Sequence, residues 1–148
     1  VVIPGGVGTR KLIKDEVILD WIRAVHPGTL FTTSVCTGSL VLAAAGLLDG
    51  MTATTHWSTQ DILASLGAVY TPERVVEHRP QRIITAAGVS SGIDMALRLL
   101  ELLVDRQAAE ASQLMIEYDP QPPFNCGSLA KAPDRIVELA RAYSEQRD

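Results

Sequence analysis

Within one residue of position 36 the spacing of apolar side chains changes. Leu30 to Val35 is a short, continuous apolar and β-branched run, as expected of a strand covered on both faces. Thr37 to Ala45 is Ala- and Leu-rich, reads as a helix, and is closed by Gly46. A strand that passes directly into a helix is the repeating unit of parallel sheets, and the rest of the chain repeats it. Val1 to Ile3 reads as the end of a short strand, followed by the tight loop Pro4-Gly5-Gly6-Val7-Gly8. An amphipathic helix of roughly Asp15 to Val25 carries Ile18, Trp21, Ile22 and Val25 on one stripe, and Pro27-Gly28 stops it.

Past Asp49-Gly50, Met51 to Thr55 is expected as a strand, and the Ser58-x-x-Asp61 spacing as a capped helix start. Val75 to Glu77 and Arg82 to Ala86 read as two short strands joined across His78-Arg79-Pro80. A second capping pattern, Ser91 to Asp94, opens the most apolar helix, through Leu97, Leu100, Leu103 and Val104, which is expected to be central. Two further helical stripes follow: Ala111, Leu114, Met115 and Tyr118, then Ile136, Leu139, Ala140 and Tyr143 after Pro133 in a first-turn position. The segment between them, 119–133, is rich in turn formers and is expected to be irregular. The pattern predicts an α/β three-layer sandwich on a mostly parallel sheet, a single domain over residues 1–148.

Several function classes are disfavoured. A net charge of −4 without any Lys/Arg cluster offers no footprint for nucleic acid. No apolar run approaches the ~18 residues of a membrane span. Cys36 and Cys126 have no CxxC neighbour and form no disulfide framework, which points to free thiols in a reducing cytoplasm. The three histidines show no metal-ligand spacing, and Gly5-Gly6-Val7-Gly8 lacks a phosphate-binding fingerprint, so neither metal nor cofactor is expected. The opening VVIPGG begins directly on a buried-strand pattern, which reads as a domain whose N-terminal part precedes Val1.

Cys36 falls where an open parallel sheet collects ligands, at the carboxyl end of a strand. If the helix begins near Thr37, the thiol occupies a sharp strand-to-helix turn, and the helix-start amides, with those of the Gly5-Gly6 loop, stabilise a thiolate or an anionic intermediate. The alternative is a small buried hydrophobe that ends a core strand. His56 in TTHW could serve as a base at the edge of the site, or simply pack with Trp57 and orient the strand end. His26 and His78 read as solvated loop residues, Cys126 as an inert thiol, and Asp94 as half of a capping box. Ser90, at the start of the apolar helix, joins Gly5 and His56 as a candidate pocket residue. Glu117, Tyr118, Asp119 and Phe124 are expected in a folded-over loop or a subunit contact.

The ordered set VIPGGVGT, TSVCTGSLVLAAAGLLDG, ATTHW, AAGVSSGIDMAL and EYDPQPPFNCGS resembles the ThiJ/PfpI superfamily, over essentially the whole chain. It is most similar to the isocyanide hydratase branch. The resemblance implies a flavodoxin-like, class I glutamine amidotransferase-like fold, a homodimer, and a cysteine-dependent hydro-lyase that adds water to a small isocyanide. It makes Cys36 the nucleophile, Thr37 the residue whose backbone and hydroxyl lie beside it, and Gly6 the loop amide facing the sulfur. Thr37 stands where family proteases carry a histidine directly after the cysteine, which disfavours proteolysis. The acidic residue of this branch follows its first strand and would precede Val1. Similar domains also serve as sensor halves of AraC-type regulators, and others as stress-response thiol proteins acting on reactive carbonyls.

Overall fold

The computed structural model describes residues 1–145. Strand β1 (Val2–Ile3) leads through the glycine loop into a short helix α1 (Thr9–Leu12), which sequence periodicity did not reveal because it is a single turn. Helix α2 (Glu16–Val25) is capped by Asp15, whose carboxylate accepts from the Val17 and Ile18 amides. Strand β2 (Thr32–Val35) and helix α3 (Gly38–Ala44) follow, then β3 (Thr52–Ala53), a 3-10 turn (Trp57–Thr59) and α4 (Gln60–Ser65). Strands β4 (Val69–Tyr70), β5 (Val75–His78) and β6 (Ile83–Ala86) precede α5 (Ser91–Leu103), α6 (Arg106–Met115) and α7 (Asp134–Glu145). The 119–133 segment carries no helix or strand, as its turn formers dictate.

The main sheet has the order β1-β2-β6-β5. β1 pairs parallel to β2 and β2 parallel to β6, whereas β5 returns antiparallel to β6 as the hairpin expected from its sequence. The Met51 to Thr55 run contributes only Thr52–Ala53, and it joins Val69–Tyr70 in a separate two-stranded parallel sheet that residue spacing did not expose.

Three layers follow from the side-chain alternation of β6. Ile83 packs into one apolar cluster with Leu19, Ile22, Leu40, Leu42, Leu48 and Leu63 of the α2, α3 and α4 side. Its neighbour Ile84, pointing to the opposite face, packs with Ala86, Met95, Leu99 and Leu102 of the α5 side. The central helix is α3 and not, as expected, α5: Gly38 through Ala43 are all buried, while α5 fully buries only Ser91 and Met95. Helix α3 lies between the sheet and α1, α2 and α4, whereas α5 packs chiefly against α6 on its outer side. Each fully buried leucine of α3 contributes about 2 kcal/mol of transfer free energy. Helix α6 directs Leu114 and Met115 of its expected stripe outward, at 78% and 85% exposure, because it rests on α5 at the outside of the layer. Pro133 stands just ahead of α7, its carbonyl accepting from Ile136 and Val137. No described helix is long and apolar enough to cross a membrane.

Candidate active site

Strand β2 ends at Val35 and helix α3 begins at Gly38, so Cys36 lies at the junction. Its φ is +58°, a left-handed conformation that costs a non-glycine residue about 1–2 kcal/mol. Tertiary contacts hold it there. The Cys36 N–H lies 2.7 Å from the Ala87 carbonyl and 3.0 Å from that of Ala86, both at the end of β6. The Cys36 carbonyl accepts from Ser39 Oγ and from Thr55 Oγ1, each at 3.2 Å, and Thr55 is steadied by Thr59 Oγ1 at 3.1 Å. Both backbone polar groups of the strained residue are therefore fixed by segments distant in sequence, and the residue is half-buried.

The glycine loop closes over this turn because it has no side chains there. A β-carbon at Gly5 would come within 2.7 Å of Cys36 Cβ and 3.0 Å of Sγ. One at Gly38 would lie 2.1 Å from the Ile3 carbonyl oxygen, so the first residue of α3 must be glycine for the helix to seat on the end of β1. Gly6, at φ +139°, was expected to aim its amide at the sulfur. Its N–H instead donates to Thr37 Oγ1 at 3.0 Å, since the buried Thr9 hydroxyl, which donates to the Gly6 carbonyl at 2.8 Å and lies 3.1 Å from Thr37 Oγ1, draws the loop toward Thr37. The first-turn amides of Thr37, Gly38 and Ser39 lack intrahelical acceptors and are the donors left at the turn.

His56 is brought near the site but not bonded to Cys36. Its Nδ1 lies 2.8 Å from Ser58 Oγ and accepts the Ser58 N–H at 3.4 Å, so the imidazole itself caps the 3-10 turn. The ring sits 5.5 Å from that of Trp57, tilted by 43°, and its Cδ2 edge faces Gly88. Burial lowers its pKa, which keeps the imidazole neutral at pH 7. The Ser58-to-Asp61 capping box does not form: Ser58 is taken by His56, and Thr59 precedes α4 without a side-chain cap. Ser90 is exposed, and its Oγ accepts from Arg74 Nη2 at 3.3 Å. Asp94 does not cap α5 either. Its carboxylate takes the Arg74 guanidinium at 2.6 Å and the Tyr118 hydroxyl at 2.7 Å, stronger partners than an amide of its own helix.

The other histidines are not free in solvent. His26 is half-buried with Nδ1 2.9 Å from Thr32 Oγ1, and burial, reinforced by Arg82, lowers its pKa. His78 Nε2 lies 2.7 Å from the Thr52 carbonyl and so ties β5 to β3. Cys126 is exposed in the irregular segment, on the wall of a cleft of about 130 Å³ with Trp57, Leu129, Ile136 and Val137. Neither this cleft nor the groove of about 380 Å³ between α5 and α6 is lined by Gly5, Gly6, Cys36, Thr37, His56 or Ser90. Among the described residues no group of three His, Cys, Asp or Glu side chains is placed to hold a metal ion.

Four residues of the site escaped sequence reasoning: Thr9, Ser39, Thr55 and Arg74. Ser39 was detectable from its position three residues after Cys36, a spacing that returns a hydroxyl to the preceding carbonyl. The others act across 13 to 28 residues of chain, for which a single sequence carries no sign.

The sequence pattern of the DJ-1/PfpI family matches residues 1–102. The chain is 48% identical over 141 residues to the isonitrile hydratase of Pseudomonas putida, covering 95% of this chain and 61% of that protein. It is 36% identical over 128 residues to the HTH-type transcriptional regulator CdhR of Pseudomonas aeruginosa, covering 85% of this chain and 35% of the regulator. The crystal structure of a ThiJ/PfpI family protein from Pseudomonas syringae superposes with a TM-score of 0.87 at 42% identity, covering 97% of this chain and 60% of that one. The chain thus spans about three fifths of the length of the hydratase and of the solved structure.

Proposed function

The chain belongs to the DJ-1/PfpI family, and from that premise we propose that it carries the nucleophile of a cysteine-dependent hydro-lyase converting an isocyanide to an N-substituted formamide. The observation that supports this reading above all others is the Cys36 turn: a thiol held at φ +58° by both of its backbone polar groups, with Gly5 against one side of the sulfur and a helix start directly after it. Strain of this kind is kept where geometry matters for chemistry.

In the proposed reaction the Cys36 thiolate forms a C–S bond to the terminal carbon of R–N≡C. A proton delivered to that carbon gives the thioimidate R–N=CH–S–Cys. Water adds to the same carbon, its proton passing to nitrogen, and the C–S bond of the resulting R–NH–CH(OH)–S–Cys breaks to release R–NH–CHO and the thiol; the net change is one water added. The Thr37 and Gly38 amides face the charge that develops on addition. Gly6 acts at one remove, fixing Thr37 through its hydroxyl. Neutral His56 and Ser90 border the substrate side, and the acid implied by the family resemblance, preceding Val1, carries the protons. The working unit is a homodimer without metal or cofactor, a state that sedimentation of the full-length protein would report.

Mixing the full-length protein with an aryl or alkyl isocyanide and following formamide by chromatography tests the reading. Turnover that Cys36→Ala removes is expected; no turnover, or turnover indifferent to that change, overturns it. The 36% identity to the Pseudomonas aeruginosa regulator favours a second reading, a ligand-sensing half of a transcription factor. That reading requires a DNA-binding extension in the parent gene and sequence-specific DNA binding by its product.

A further inference from the structure

We propose that Arg74, Asp94 and Tyr118 form a positioning clamp for Cys36, acting through the turn that accepts the Cys36 amide. Four observations converge on it. The shorter of the two hydrogen bonds from the Cys36 N–H goes to the Ala87 carbonyl, at 2.7 Å, and the Ala87 N–H donates in turn to the Arg74 carbonyl at 2.9 Å. The peptide that holds the strained residue is therefore itself held by the backbone of Arg74.

The Arg74 side chain then reaches over the same turn. Its guanidinium bonds Ser90 Oγ at 3.3 Å and Asp94 Oδ2 at 2.6 Å, spanning the turn from Ala87 to Ser90 and the first turn of α5. The second carboxylate oxygen, Asp94 Oδ1, accepts the Tyr118 hydroxyl at 2.7 Å, which brings in the segment that follows α6. Tyr118 is itself fixed by a reciprocal pair with Gln113, its N–H donating to the Gln113 carbonyl and its carbonyl accepting Gln113 Nε2, both at 3.1 Å. Finally, the first turn of α5 bears on the residue before the cysteine: a β-carbon at Gly92 would stand 3.0 Å from Val35 Cγ1. A shift of α5 is thus felt at both Val35 and the Ala87 carbonyl.

The Arg74 and Asp94 side chains are 53% and 30% exposed, and an ion pair in such surroundings adds little to folding stability. Its value lies in orientation, because a planar guanidinium that bridges one carboxylate oxygen and one hydroxyl fixes direction as well as distance. The three residues touch no reacting atom and are positioning residues.

The inference rests on Cys36 being the reacting group, and alkylation separates it from the identity of the substrate. In a Cys126→Ser background, the rate of Cys36 carboxamidomethylation by iodoacetamide is measured by mass spectrometry at neutral pH, beside the thermal midpoint. Arg74→Ala and Asp94→Asn are expected to slow alkylation by about tenfold and Tyr118→Phe by about threefold, within the range that small misplacements produce. Arg74→Lys is expected to recover only part of the Arg74→Ala loss, since an ammonium cannot bridge both partners. Rates within about twofold of the parent for all variants overturn the clamp, and so does a lowered thermal midpoint with unchanged alkylation, the signature of a merely structural role. Tyr118→Phe removes one hydroxyl from a surface segment and keeps the test decisive should the Arg74 variants fold poorly. Failure of formamide formation with a clear alkylation response rejects the hydratase reading alone.

Discussion

Cys36 and Cys126 carry the same thiol into opposite surroundings. Around Cys36, the loop after β1, the end of β6, the first turn of α3 and the Thr55 hydroxyl all meet within hydrogen-bonding or van der Waals distance, and the residue is held in a conformation it would not adopt alone. Around Cys126 the chain is irregular, the side chain is exposed, and a β-carbon built at neighbouring Gly127 meets nothing within 4 Å. Exposure alone would favour Cys126 as the reactive thiol. The contrast indicates that chemistry is assigned by how many separate segments fix a group, since only such a group presents one orientation and one set of donors to an incoming molecule.

Four measurements break or sharpen this contrast. The largest effect is on reactivity: at neutral pH Cys36 is expected to take up iodoacetamide at least about tenfold faster than Cys126 despite its lesser exposure, as mass spectrometry of the two peptides will show. Equal rates, or a faster Cys126, would remove the distinction. Next comes tolerance to a single methyl group. Gly38→Ala drives a β-carbon into the Ile3 carbonyl and Gly5→Ala drives one into Cys36 and the Thr37 amide, backbone on at least one side in each case. Urea unfolding should register losses of about 3 kcal/mol and about 1–3 kcal/mol respectively. Gly127→Ala, in open space, is expected to stay within about 0.5 kcal/mol.

A smaller effect isolates the strain at the turn. Cys36→Gly and Cys36→Ala both lack the sulfur, but only glycine accepts φ +58° without penalty, so the glycine variant should be the more stable by about 1 kcal/mol in urea. The reverse order would mean that the left-handed conformation is not strained. The smallest effect concerns pH. Burial holds the His56 pKa below its ordinary 6.5, so on acidification the unfolded chain takes up the proton first. Stability is unaffected by this group above that value, declines as pH falls below it, and levels off beneath the folded-state pKa. His56→Gln should shallow the acid step of the thermal midpoint, leaving the same-signed contribution of His26, which is also lowered by burial.

Much of the architecture could be read from local pattern. The span of α2, the β2-to-α3 junction, the β5–β6 hairpin and the irregular 119–133 segment each follow from residues adjacent in sequence, whereas the buried face of α2 does not: Leu19, outside the expected stripe, is buried with Ile22, and Trp21, within it, is exposed. What escaped was governed by partners far along the chain. Asp94 has the spacing of a capping residue, yet Arg74 and Tyr118 offer a charged and a hydroxyl donor that an amide cannot match. Helix α5 is the longer run, with an apolar stripe that suggested the centre of the fold, yet the shorter, uncharged α3 is the buried one, because α1, α2 and α4 cover the face it turns from the sheet. The Gly6 amide could be anticipated as a donor near Cys36, but its acceptor depended on Thr9, whose hydroxyl reaches the loop only once α1 has turned back over it.

By itself the sequence determined the alternation of strand and helix, the place of a cysteine at a strand end, and the glycines that allow close approach there, since all of these arise from backbone sterics and short-range periodicity. Tertiary structure alone decided that the Cys36 amide binds the end of β6, that its carbonyl is held by Thr55, and that Thr37 rather than the sulfur receives the Gly6 amide. The reason is that a hydrogen bond chooses among all donors and acceptors the fold brings within about 3 Å, and that set exists only after the chain has packed.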